Sequence, residues 1–141
     1  MSDDPVNAAA SLYEEIPREI WQCELLSSDG LTLGRAVCQI VERRLWTVRY
    51  IVVYDPARSL RLLLPATLVT GVEPGRILCS ITATEATLLP EYHGHLSRVE
   101  ELALYKALDR VPYWEEESVF LSPMTSAPRN IHLPFDPIEP V

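Results

Sequence analysis

Two histidines and a glutamate with metal-binding chemistry occur at alternate positions of one short segment. Glu91, His93 and His95 are separated by single residues, and alternate side chains of an extended segment point to the same side. Imidazole and carboxylate groups bind zinc and other transition metals, so this spacing is compatible with a metal site. The favoured alternative is a solvated linker, because a further ligand is missing and Gly94 makes the segment mobile.

Four residues are candidates for contacting a protein partner: Arg49, Tyr113, Trp114 and Phe135. Arginine and large aromatic side chains are enriched at protein interfaces. For Arg49 a cross-strand ion pair is the favoured alternative to an anchor for a partner's carboxylate. Tyr113 and Trp114 either fold back onto the main domain or form an interface hot spot.

The sequence lacks the residue groupings that are typical of catalysis. There is no nucleophile paired with a base, no phosphate-binding glycine loop and no HExxH pattern. We therefore predict that the protein is not an enzyme and uses no cofactor. The cysteines have neither a CxxC pair nor zinc-ligand spacing, which predicts buried free thiols. They are Cys23, Cys38 and Cys79.

Charge is distributed unevenly along the chain. The net charge is −8, residues 21–92 hold seven Arg against seven Asp or Glu, and the acidic excess falls in residues 1–20 and 93–141. Acidic flanks repel phosphate groups, whereas nucleic-acid binding depends on Lys and Arg that neutralise them. Because Lys106 is the sole lysine of the chain, we predict no nucleic-acid binding.

No segment of the sequence has the pattern of a membrane span or a secretory signal. A span needs about 18 or more consecutive apolar residues, and the strongest apolar run, Leu60 to Val69, is interrupted by Arg61 and Pro65. Residues 1–4 are acidic where a secretory signal requires a basic segment. The sequence therefore predicts a cytoplasmic protein without a membrane span.

Residues 21–92 have the pattern of a small β-domain. Six strands are predicted, at Trp21–Leu26, Thr32–Glu42, Leu45–Tyr54, Leu60–Leu64, Leu68–Val69 and Arg76–Ile81. Short strands spaced by about 8–12 residues indicate a sandwich or a barrel, and the small size of the domain favours a closed barrel without exposed edges. Gly34 is predicted to mark a bulge or bend. The capping-box spacing of Thr82 and Glu85 predicts one helical turn that ends before Pro90. Three aromatic residues are predicted to lie mostly in the core. They are Trp21, Trp46 and Tyr50.

The segments outside this domain are predicted to be helical or extended. Residues 1–20 form an acidic arm, with a short helix from Asn7 to Glu15. Residues 93–114 form a helical extension that starts with the capping-box spacing of Ser97 and Glu100. One side of this helix is expected to dock on the barrel or on a partner: Val99, Leu102, Ala103, Lys106 and Ala107, with Leu104 and Leu108 beside them. Residues 115–141 form an acidic, proline-rich extended tail.

Three local patterns within residues 21–92 resemble the PRC-barrel family, which is named for the photosynthetic reaction centre. The first is Asp29-Gly30 followed by Leu33-Gly34-Arg35-Ala36-Val37. The second, Trp46-Thr47-Val48-Arg49-Tyr50-Ile51-Val52-Val53, is similar to a strand of the reaction-centre H subunit. The third combines Leu62-Leu63-Leu64-Pro65, Ile81-Thr82-Ala83-Thr84-Glu85 and Leu89-Pro90-Glu91-Tyr92. Their order and spacing carry the resemblance.

The resemblance implies a six-strand barrel that acts as a scaffold and has no catalytic residues. In this family the barrel forms the cytoplasmic domain of the H subunit, and it also occurs in ribosome-maturation proteins. We therefore expect a protein-binding module, peripheral to the membrane through protein contacts, whose partner is a membrane-embedded photosynthetic complex. A free-standing ligand or metal sensor, a ribosome-assembly factor and a homodimer stay open as alternatives.

Overall fold

The chain forms a mixed β-sheet with α-helices beside it. The computed structural model describes residues 11–115. Within that range the strands are β1 (Leu12–Glu15), β2 (Glu24–Leu26), β3 (Thr32–Glu42), β4 (Thr47–Asp55), β5 (Leu60–Pro65), β6 (Val69–Glu73) and β7 (Arg76–Cys79). The helices are α1 (Ala83–Ala86) and α2 (Arg98–Leu108), and a 3₁₀ turn spans Ala66–Leu68. The prediction of a mainly β protein with a carboxyl-terminal helix is confirmed.

The strand order is β5-β4-β3-β2-β7-β6, and β1 also pairs with β3. All pairs are antiparallel except β2 with β7. The described residues form a seven-strand sheet that is not closed, where a closed six-strand barrel was predicted. The outer edge of β5 is instead covered by a non-strand segment. There the Leu63 amide donates to the Pro90 carbonyl at 3.0 Å, and the Tyr92 amide donates to the Arg61 carbonyl at 2.8 Å.

β1 lies where the sequence predicted a helix. Leu12–Glu15 pairs with residues 39–42 of β3, so the helix prediction is wrong for these four residues, and residues 7–10 of the predicted helix lie outside the described range. Pairing satisfies backbone groups along this part of β3 and buries Leu12 in the core. The Glu15 carboxylate also accepts a hydrogen bond from the Gln39 amide at 2.7 Å. These tertiary contacts outweigh the weak local preference for a helix.

β3 bends so that it can pair with β4 along one side and with β2 and then β1 along the other. Gly34 lies at a register shift in the pairing of β2 with β3, as the sequence predicted. Its φ is +149°, and an added Cβ would lie 2.2 Å from the Tyr54 carbonyl oxygen. Only glycine therefore permits this approach between β3 and β4.

The core is centred on β4, which is buried on both faces from Thr47 to Val53. Both predicted capping boxes are present, from Thr82 and Glu85 at α1 and from Ser97 and Glu100 at α2. However, α2 packs through a different side from the predicted one. Its buried residues are Glu101, Leu104, Tyr105 and Leu108, so the predicted inclusion of Leu104 and Leu108 is confirmed, whereas Val99, Leu102, Ala103, Lys106 and Ala107 are exposed.

Two of the three aromatic residues predicted to lie in the core are on the surface. Tyr50 is fully buried, but Trp21 is 54% exposed and Trp46 is 42% exposed. Trp21 occupies a turn before β2 rather than the predicted strand, and Trp46 has a φ of +51° in the turn between β3 and β4. No helix within residues 11–115 has the length and apolar character that crossing a bilayer requires.

Candidate functional site

An apolar groove runs between one flank of α2 and the chain that leads into this helix. Its cavity has a volume of about 260 Å³. It is lined by Leu63, Leu88, Pro90, Glu91, Tyr92, His95, Leu96, Glu100, Ala103, Leu104 and Ala107. The segment from Leu88 to Leu96 forms one wall and α2 the other, while Leu63 of β5 contributes from the sheet. We refer to this cavity as the α2 groove.

The floor and rim of the α2 groove differ in chemistry. Leu63, Leu96 and Leu104 are buried and apolar, whereas Glu91, His95 and Glu100 are exposed. Glu100 also closes the capping box of α2, because its Oε1 accepts a hydrogen bond from the Ser97 amide at 2.7 Å. The groove therefore offers an apolar cavity with acidic groups at its margin.

The predicted metal ligands are only partly brought together. Glu91 and His95 line the α2 groove, but His93 does not. Within residues 11–115, no group of three or more His, Cys, Asp or Glu side chains is arranged so that it could hold a metal ion. Glu91, His93 and His95 thus alternate along the chain, but they do not come together as one set of metal ligands.

Arg49 is held in a buried ion pair rather than displayed on the surface. Its Nε donates to Glu42 Oε1 at 2.8 Å, and its Nη2 pairs with the same carboxylate. Arg49 is 2% exposed and Glu42 is 1% exposed. The favoured interpretation of Arg49, a cross-strand ion pair, is therefore confirmed between β4 and β3. The exposed Arg44 also pairs with Glu42.

A second buried carboxylate, Glu101, connects α2 to β4. It accepts hydrogen bonds from Tyr50 Oη at 2.7 Å and from Tyr113 Oη at 3.3 Å, and its Oε1 lies 3.4 Å from Arg98 Nη1. Burial raises the pKa of Tyr50 well above 10.0, and the neighbouring Tyr105 and Glu101 raise it further. Tyr50 therefore stays a neutral hydrogen-bond donor, and the Glu101 contacts fix the position of α2 against the sheet.

Tyr113 and Trp114 fold back onto the domain, which was one of the two predicted alternatives. Tyr113 is buried with its ring 4.1 Å from the Arg49 guanidinium carbon. Trp114 is half-buried, and the Arg98 guanidinium carbon lies 3.6 Å from its ring centroid. The fourth candidate for partner binding, Phe135, lies outside the described residues.

The cysteines provide no activated nucleophile. All three are free and buried, as predicted. Burial raises the pKa of the Cys38 thiol to about 12, and burial alone raises that of Cys79 to about 12. Because the thiolate is the reactive form of cysteine, these two side chains act as small apolar core residues.

Sequence reasoning did not identify the α2 groove or the buried carboxylates Glu42 and Glu101. The burial of Glu42 could have been inferred from its position, because it directly follows Ile40 and Val41 at the end of a strand. Glu101 lies three residues before Leu104 and four before Tyr105, on the same side of the helix. No known protein-family model matches this chain, and a comparison with curated proteins finds no match.

Proposed function

We propose that this chain is a non-catalytic protein-binding module that serves as a peripheral subunit or adaptor of a larger assembly. The observation that carries the proposal is the α2 groove together with the apolar side chains left exposed beside it. Leu88 lines the groove and is half exposed, and Val99 is 75% exposed on α2. Val99 precedes the groove residue Ala103 by four positions, so the two are neighbours on the helix surface.

Burial of these side chains by a partner would contribute substantially to binding. Full burial of a Val or Leu side chain is worth about 1.5–3 kcal/mol, and contiguous exposed apolar surface commonly marks interaction sites.

The resemblance of residues 21–92 to PRC barrels supports a finer version of this proposal. In that version the bent β3 and its neighbours form a PRC-type barrel, and the assembly is a membrane-embedded photosynthetic complex with this chain on its cytoplasmic side. The general proposal, that the chain is a protein-binding module, does not depend on which assembly it joins.

Comparative affinity purification from the native cell, with and without membrane solubilisation, tests the proposal. We compare the wild-type chain with Ala103→Arg, which places a long side chain at the mouth of the α2 groove. Ala57→Arg, in the exposed turn between β4 and β5, is the matched control. The proposal predicts a protein that is recovered with wild type and with Ala57→Arg but lost with Ala103→Arg. Identical recovery with all three chains, or recovery of no protein, would overturn it.

A further inference from the structure

Acidic side chains line the margin of the α2 groove. Its margin carries the carboxylates of Glu91 and Glu100, and none of the described residues that line it is Lys or Arg. The two cations of α2, Arg98 and Lys106, are exposed and are not lining residues. The net charge of −8 for the whole chain has the same sign. Complementary charge steers a partner towards such a surface and excludes partners of like charge.

The volume of the cavity limits how much of a partner can enter it. A dry apolar cavity of about 150 Å³ holds one benzene-sized group, so the cavity of about 260 Å³ has room for one large or two medium apolar side chains. One wall is the helix α2, which offers the small residues Ala103 and Ala107 one turn apart. Small residues permit close approach of a second helix, and helices dock in such grooves through apolar residues spaced by three or four positions.

We propose that the α2 groove binds a cationic amphipathic helix of the partner, with two apolar side chains in the cavity and Lys or Arg side chains against Glu91 and Glu100. This inference rests on the proposed function and specifies the chemistry of the partner. A purely apolar occupant would leave the two carboxylates without counter-charges at the margin, and an acidic helix would be repelled by them.

The test uses three labelled peptides of about 15 residues, which is long enough for a helix to form on binding. The first has two Leu residues four positions apart and flanking Lys residues. The second replaces the Lys residues by Glu, and the third replaces the Leu residues by Ser. Fluorescence anisotropy with the full chain should show binding of the first peptide and at least about tenfold weaker binding of the other two.

Variants of the chain test whether the Lys peptide binds in the α2 groove. Glu91→Gln combined with Glu100→Gln should weaken binding of the Lys peptide about fivefold and reduce its salt dependence. Glutamine preserves the capping box at position 100, so α2 should remain intact. The control Glu73→Gln removes one carboxylate from β6, which contributes no lining residue to the groove, and should leave the affinity unchanged.

The outcomes separate this inference from the proposed function. Equal affinity for the Lys and Glu peptides, or no binding of the Lys peptide, overturns the cationic-helix inference. The proposed function still stands in that case if Ala103→Arg abolishes recovery of the native partner. If Ala103→Arg affects neither peptide binding nor partner recovery, both proposals fail.

Discussion

The buried pair of Arg49 and Glu42 leads to a quantitative prediction about stability. Both side chains are almost completely shielded from solvent, and Arg49 also packs against the Tyr113 ring. Arg49→Met keeps most of the side-chain volume but leaves the Glu42 carboxylate buried without its main counter-charge. Removal of one member of a buried pair typically costs about 3–5 kcal/mol. We expect a loss of about 3 kcal/mol, at the low end of that range, because Arg44 still pairs with Glu42.

The double variant Glu42→Leu/Arg49→Met should be more stable than Arg49→Met alone. Replacing both members of a buried ion pair by apolar groups is often close to neutral, so we expect its stability to lie within about 1 kcal/mol of wild type. The coupling between the two substitutions should then be about 2 kcal/mol or more, since the residues are in direct contact.

Urea unfolding followed by tryptophan fluorescence measures these differences, with Arg58→Met as the control. Arg58 pairs with Asp55 at 2.8 Å in an exposed turn, and exposed pairs contribute about 0–1 kcal/mol. If Arg49→Met lowers the free energy of unfolding no more than Arg58→Met does, the buried pair does not stabilise the fold as stated. A double variant that is as unstable as the sum of its single variants would also contradict the reasoning.

Three further predictions concern the backbone, the tyrosines and the thiols. Gly34→Ala should cost at least about 3 kcal/mol in thermal unfolding because its Cβ would overlap the Tyr54 carbonyl, whereas Gly30→Ala, with open space around it, should cost about 1–2 kcal/mol. Burial raises the pKa of Tyr113 above 10.0 in the folded chain. The unfolded chain therefore loses this proton first, so the contribution of Tyr113 to the free energy of unfolding should be constant below pH 10 and fall above it. Urea unfolding and absorbance at the tyrosinate band follow this change. Because the pKa of Cys38 is about 12, its reaction with a thiol reagent at pH 8 should be on the order of a thousandfold slower in the folded than in the unfolded chain. A rate within tenfold of the unfolded chain would contradict its burial.

Local patterns in the sequence were sufficient to predict several elements of the fold. β3 begins at Thr32 and ends at Glu42 as predicted, since the Asp-Gly turn before it and the two arginines after it limit the strand at both ends. The capping boxes of α1 and α2 also form where Thr82 and Ser97 predicted them. Such features depend on residues that are close in sequence, so a single sequence contains the necessary information.

The buried side of α2 could not be predicted because its packing depends on distant polar partners. Apolar residues are more numerous on the side that contains Val99 and Leu102, and a glutamate is normally a surface residue. Glu101 is nevertheless buried, because Tyr50 and Tyr113 donate hydrogen bonds to it from 51 and 12 residues away. A buried carboxylate needs hydrogen-bond donors. When these donors are distant in sequence, they produce no periodic pattern from which the burial could be predicted.

The α2 groove was not predictable for a related reason. One of its walls, residues 88–96, has no regular secondary structure apart from an isolated bridge between Glu91 and Leu62 of β5. The position of this wall is therefore set by its contacts with β5, rather than by any local pattern. The sequence did single out Glu91 and His95, but for a metal site rather than for the rim of an apolar groove.

Site-specific photocrosslinking in the native cell tests the central claim, that the α2 groove is where this chain binds a protein partner. A photoreactive amino acid is placed at Ala103 in the groove or, as a control, at Thr70 on the exposed face of β6. If the groove binds a partner, position 103 gives one discrete crosslinked protein that is absent from position 70. No adduct at position 103, or the same adducts from both positions, would contradict it.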